Sequence, residues 1–169
     1  MSYILFYSKS KNLDHRYLSN FQVIDRGIVI DEKFPFHELH GKCFHSIENA
    51  FQASKLCCAK FDTESLDIIQ TLSPLEAKKF GSKSNFKKHK KELDVISWNK
   101  MSIQVMKKLL KLRYDNDEKF KKTIEFAKNN QLKLKHFEIT GSKSFWGGFY
   151  KDCEWKGTNM LGELMQELK

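Results

Sequence analysis

The sequence predicts an α+β fold, mainly helical, built as a single domain over residues 1–169, and three patterns carry that expectation. Between residues 46 and 81, helix-start and helix-stop signals follow one another closely enough for three helices. The last residues place Leu161, Leu164, Met165 and Leu168 at i, i+3, i+4 and i+7, the apolar face of a closing helix. Strand-like runs are few and short, and most fall in the N-terminal third.

Residues 3–7 are an apolar run rich in aromatics, and residues 23–30 carry β-branched side chains around Gly27; both read as strands or extended segments. Ser46 is placed to cap a helix carrying Ile47, Ala50, Phe51, Ser54 and Cys58 along one apolar or small-residue stripe. A short helix is expected over 64–70. Ser73-Pro74-Leu75-Glu76 is a capping box with proline at the first helical position, and Gly81 follows the end of that helix. Residues 94–114 hold Ile96, Ile103, Met106, Leu109, Leu110 and Leu112 among lysines, an amphipathic pattern that predicts the longest helix. Another helix is expected over 120–127, and the alternation in 132–139 reads as a half-buried strand.

With 40% hydrophobic and 13% aromatic residues, the chain has enough apolar surface for one core. The apolar stretch at its start is too short for a signal-peptide core or a bilayer span, so a soluble cytoplasmic protein with no membrane partner is expected. Cys43, Cys57, Cys58 and Cys153 contain no C-x-x-C pair and read as reduced, mostly buried thiols. His37, His40, Cys43 and His45 are chemically able to bind zinc, but the usual spacings are missing, and no metal is expected. The sequence lacks both a G-x-x-x-x-G-K-S/T loop and a G-x-S-x-G elbow, which sets aside nucleoside triphosphatases and serine hydrolases.

The net charge of +9 invites a polyanionic partner. The positive charge is nearly all lysine, with only Arg16, Arg26 and Arg113 as arginines, and bidentate phosphate recognition favours arginine. The densest cluster, residues 83–92, reads as a solvated loop between helices, with a path for a phosphate backbone as the alternative.

Two constellations carry chemistry. On the helix after Ser46, Glu48, Gln52 and Lys55 fall at i, i+4 and i+7, so that acid, amide and amine share one face. Such a face can activate water, hold hydroxyls and receive a phosphate; spacing alone favours the plainer alternative of an exposed Glu and Lys. The second is Phe145-Trp146-Gly147-Gly148, followed by Lys156-Gly157-Thr158-Asn159 ahead of the terminal helix. Glycines beside an aromatic admit a ligand close to backbone, and amides at a helix start suit a phosphate; a tight turn around a core tryptophan fits equally well. Trp98 reads as core more than as a stacking platform.

Taken together, Leu18-Ser19-Asn20-Phe21, the E-x-x-x-Q-x-x-K helix face, the capping box ending at Gly81, Phe145-Trp146-Gly147 and the stretch from Gly157-Thr158-Asn159 to Met165 resemble the NADAR (YbiA-like) superfamily in order and spacing. The resemblance spans nearly the whole chain. It implies a mainly helical fold and hydrolysis of N-glycosidic bonds, without cofactor or metal. The substrates it implies are phosphorylated ribosyl small molecules such as phosphoribosylamino-pyrimidine intermediates of riboflavin synthesis, ADP-ribosyl small molecules, and ADP-ribose carried on guanine bases of nucleic acid. It also implies that Glu48 is the catalytic carboxylate, with Asn20, Phe21, Gln52, Lys55, Trp98, Trp146, Gly147 and Asn159 around the ligand. Two positions depart from the pattern: Lys143 stands where members carry an aspartate, and Ser82 where they carry an arginine, with Lys83 beside it. These departures raise an alternative, a non-catalytic module that binds or senses an NAD-derived nucleotide such as ADP-ribose.

Overall fold

The structure, a computed structural model, describes residues 2–138 and 144–169. Its fold is α+β: helices dominate, and among the described residues the strands form three two-stranded sheets. The chain divides into two units, Val23–Asn116, and Met1–Gln22 together with Asp117–Lys169.

The first of these is built around one buried helix, α2 (Ile47–Cys58), after the short antiparallel pair β2 (Ile28–Val29) and β3 (Cys43–Phe44). Ser46 caps α2 as predicted, its hydroxyl accepting from the Asn49 amide at 3.0 Å. Helices α3 (Thr63–Thr71), α4 (Pro74–Phe80) and α6 (Val95–Asn116) follow, and α2 packs against all three. The single apolar stripe expected for α2 proves too narrow. Ten of its twelve residues are buried, polar Glu48, Asn49 and Gln52 among them, because neighbours cover it on several sides. The capping box of α4 forms, with Ser73 and Glu76 satisfying each other's backbone amides. Helix α6, of 22 residues, is the longest, although Ile96 in its first turn is 71% exposed.

Two expectations are corrected in this unit. The strand expected over 23–30 contracts to β2, since Gly27 turns the chain at a positive φ of 65° just before it. The lysine cluster is not a loop throughout: α5 (Lys83–Lys88) forms there, capped by Ser82 and anchored by Phe86, which is 4% exposed.

In the other unit, β1 (Tyr3–Phe6) pairs in parallel with β4 (Lys133–His136), Tyr3 opposite Lys133 and Phe6 opposite His136. Around this pair lie α1 (Leu13–Tyr17), which buries none of its residues, and α7 (Glu118–Asn129) and α8 (Met160–Glu167), whose apolar faces bury Phe120, Ile124, Leu161, Leu164 and Met165. The hairpin of β5 (Phe149–Lys151) and β6 (Glu154–Lys156) carries no recognisable sequence signal. Its turn places Asp152 and Cys153 at φ 53° and 63°, where Asn-Gly would have announced it. Cys153 is exposed there, Cys43 and Cys58 are half-buried and only Cys57 is buried, so the expectation of mostly buried thiols is corrected; all four are free.

Among the described residues, no helix is long and apolar enough to cross a membrane.

Candidate functional site

The face read from the sequence on α2 exists, but it is buried rather than loose. Glu48 and Gln52 are each 7% exposed, one turn apart, and the Gln52 side-chain amide donates to the Glu48 carboxylate at 2.9 Å. That bond fixes which way the amide faces. The Gln52 Oε1 lies buried against Gly81 with no hydrogen-bond donor. Gly81 ends α4, and a Cβ there would come within 1.9 Å of that oxygen, so glycine is what lets the end of α4 close on α2.

One turn further, the Lys55 ammonium donates to the Gly81 carbonyl at 2.7 Å and lies 5.5 Å from the centre of the Phe86 ring. Burial pushes Lys55 below the ordinary lysine range, and the Glu48 carboxylate works against that shift. Lys55 also lines a cleft of about 980 Å³ within this unit, shared with Lys83, Phe86, Lys87, Lys90, Lys91 and Trp98. Trp98 is both things weighed for it: its ring packs against Phe51 at 5.1 Å, and it forms part of the cleft wall. The structure thus brings Glu48, Gln52 and Lys55 together and sets Trp98 on the same cleft as Lys55.

The lysines of α5 and the turn after it were not singled out as site residues. The available signal was Ser82, a cap four residues before Phe86; an apolar residue at that spacing makes 83–88 a helix with one inward face. Ser82 spends its hydroxyl on that cap, accepting from the Asn85 amide at 3.4 Å, and supplies no cation, while Lys83 beside it lines the cleft. Lys143, the other departure, lies outside the described residues.

Cys57 and Cys58 also sit on α2. Burial pushes the Cys57 thiol up to about 12 and raises that of Cys58, which leaves both protonated at neutral pH and poor nucleophiles. Among the described residues, no three His, Cys, Asp or Glu side chains are grouped as a metal ion would need.

The remaining predicted residues belong to the other unit. Asn20 is buried, and half-buried Phe21 follows it in a turn where the Phe21 amide donates to the Ser19 hydroxyl at 3.2 Å. Trp146 is half-buried, with its ring edge-on to Phe145 at 5.1 Å. Gly147 is buried against the His136 carbonyl, which a Cβ would approach to 2.6 Å.

One expectation fails here. The start of α8 does not offer its first amides to a phosphate, because the Met160 and Leu161 amides donate to the Phe145 and Trp146 carbonyls at 3.0 and 3.1 Å. The turn serves as the cap. Asn159, at φ 58°, has its side chain taken by β4: its Oδ1 accepts from the His136 amide and its Nδ2 donates to the Leu134 carbonyl, both at 2.9 Å.

No curated protein matches the chain. The model of the NADAR domain matches residues 5–169, and so takes in both the α2 face with its cleft and the Phe145-Trp146-Gly147 turn with α8: the chain belongs to the NADAR family, which includes N-glycosidases.

Proposed function

We propose that the protein hydrolyses the N-glycosidic bond joining a base or amino-pyrimidine to a phosphorylated ribose or to ADP-ribose, with Glu48 as the catalytic carboxylate. The observation that carries this reading is the α2 face, a buried carboxylate oriented by Gln52 and followed by Lys55, which leads into a lysine-lined cleft. When the C–N bond breaks, its electron pair leaves with the base and positive charge develops on the ribose. Glu48 stabilises that charge, or takes a proton from the water that attacks the anomeric carbon while the departing nitrogen gains one. Lys55 serves as a point charge for a ribose phosphate or pyrophosphate, and Trp98 as a wall for the base. The unpaired Oε1 of Gln52 would accept from a ribose hydroxyl or from the water. On the family resemblance we keep Asn20, Phe21, Trp146 and Gly147 as ligand-binding residues, and give Asn159 the task of holding the Trp146-Gly147 turn to β4. The cluster of lysines around the cleft favours ADP-ribose carried on nucleic acid over a free metabolite.

A second reading, a module that binds an NAD-derived nucleotide without cleaving it, is favoured by Ser82, whose hydroxyl is spent on capping α5 where an arginine would reach a ligand. One experiment separates the two. The protein and its Glu48→Gln variant are incubated with ADP-ribosylated guanine oligonucleotide, NAD, ADP-ribose and a phosphoribosylamino-pyrimidine, and free base and sugar are followed by mass spectrometry. Hydrolysis predicts release of one product, reduced by roughly 10²-fold or more in the variant while the melting temperature holds. Retention of a ligand with no base released would establish the binding module instead.

A further inference from the structure

On the β1–β4 pair and the β5–β6 hairpin, aromatic rings stand in a row outside the core. Tyr3 and Tyr150 stack with centroids 5.2 Å apart and planes at 30°, and Trp155 meets Tyr150 edge-on at 5.2 Å. Core aromatics are covered, but Tyr3 is 44% exposed and Tyr150 40%. On β4, Lys133 and Lys135 stand on the side that carries Tyr3 on β1; on the hairpin, Lys151, Lys156 and Glu154 alternate to the side opposite Tyr150 and Trp155, where Glu154 pairs with Lys156. Lys133 stands opposite Tyr3 in the parallel register and lines a neighbouring groove of about 500 Å³ with Asn130 and Gln131. The Lys135 ammonium rests 4.8 Å from the centre of the Trp155 ring.

We infer that this face binds single-stranded nucleic acid, with bases stacking on the exposed tyrosines and Lys133 and Lys135 meeting the phosphates. The two halves of the surface select for that ligand together. Stacking on an aromatic platform tolerates any base, because every base has a π-face, while a lysine excess along the strands follows a phosphodiester backbone. A single small nucleotide would use only one ring and one or two of the cations. The outer faces of the stacked Tyr3 and Tyr150 rings suit unstacked bases in a way that the closed stack of a duplex does not. The surface involves none of the residues proposed for hydrolysis and stands independently of that reading.

The plainer account of the aromatic row is that it pins the hairpin to β1. The test separates the two through Tyr150, because leucine keeps an apolar contact but has no π-face, whereas phenylalanine keeps both. A labelled, unmodified oligothymidylate of about twelve nucleotides is titrated with the full chain and followed by fluorescence anisotropy. Binding is expected for the natural chain and equally for Glu48→Gln, weakening by more than about tenfold between roughly 50 and 200 mM salt. Tyr150→Leu and the Lys133→Glu/Lys135→Glu pair should each lose roughly fivefold or more in affinity, with Tyr150→Phe near the natural chain and all variants melting normally. No binding by the natural chain would overturn the inference. So would binding that Tyr150→Leu and the lysine exchanges leave unchanged, which would assign the strand to the lysines of α5. Since Glu48→Gln is expected to bind as the natural chain does, loss of this surface and loss of hydrolysis are read separately.

Discussion

Lys55 joins the two properties a phosphate-binding amine needs here, a position on the cleft and a cost for its own charge. In the unfolded chain its value is 10.5, and burial lowers it in the fold. Between the lowered value and 10.5 the unfolded chain holds the extra proton, so the contribution of Lys55 to stability rises as pH increases through that window and is smallest at neutral pH. Urea denaturation of the natural chain and Lys55→Met from about pH 7 to about pH 10 should show that rise in the natural chain and not in the variant. Parallel curves would mean that Lys55 is not desolvated. A bound phosphate should restore the proton and erase the difference. Asn159 is a contrasting residue. It was placed at the ligand by resemblance, yet its amide holds two buried backbone groups of β4. Asn159→Ala should therefore cost about 2–4 kcal/mol by thermal or urea denaturation, from the unmet backbone groups and the left-handed backbone that asparagine tolerates best. An effect on turnover alone, with stability untouched, would return Asn159 to the ligand.

At the scale of elements, α2 shows why the site was only half legible. Ser46, the i, i+4, i+7 spacing and the capping box at Ser73 are local signals, and each appears in the structure where the sequence puts it. Burial of the acidic face is not local, because it depends on α3, α4 and α6 arriving from elsewhere in the chain. Asn49 marks that arrival: its side-chain amide donates to the Ile69 and Leu72 carbonyls at 2.8 and 2.7 Å, tying α2 to the end of α3. Nothing in the run Ile47-Glu48-Asn49-Ala50 announces those partners. The β5–β6 hairpin was illegible for a different reason, since Asp152-Cys153 is a weak turn signal and the strands are three residues each. Gly81 is where one element acts on the chemistry of another. In Gly81→Ala the added methyl would displace the Gln52 amide that orients Glu48. The expected result is a loss of roughly tenfold or more in kcat with a smaller change in KM, because the proposed carboxylate loses its orientation while the lysines of the cleft remain. Gly81→Ser should behave alike, and full activity in both would show that Gln52 does not position Glu48.

At the scale of the whole molecule, the charge of +9 is spread by the fold over at least two surfaces, the α5 cleft and the β1–β4 face, that a composition figure merges into one. The choice between a free phosphorylated metabolite and ADP-ribose on nucleic acid can be read from how catalysis responds to salt. A small ligand with one pyrophosphate meets one or two lysines at close range, and its KM should move by less than about threefold between roughly 50 and 200 mM salt. A polynucleotide that also meets three of the remaining cleft lysines releases a counterion at each. With a slope near −0.7 per contact for a single strand, a fourfold rise in salt should raise its KM roughly twentyfold. Lys87→Gln with Lys90→Gln should flatten that dependence while leaving the small-ligand KM unchanged, because both lysines line the cleft and neither Glu48 nor Gln52 is part of its wall. If instead the two exchanges raise both KM values in parallel, the α5 lysines hold the ribosyl phosphate itself, and the substrate is then the small one.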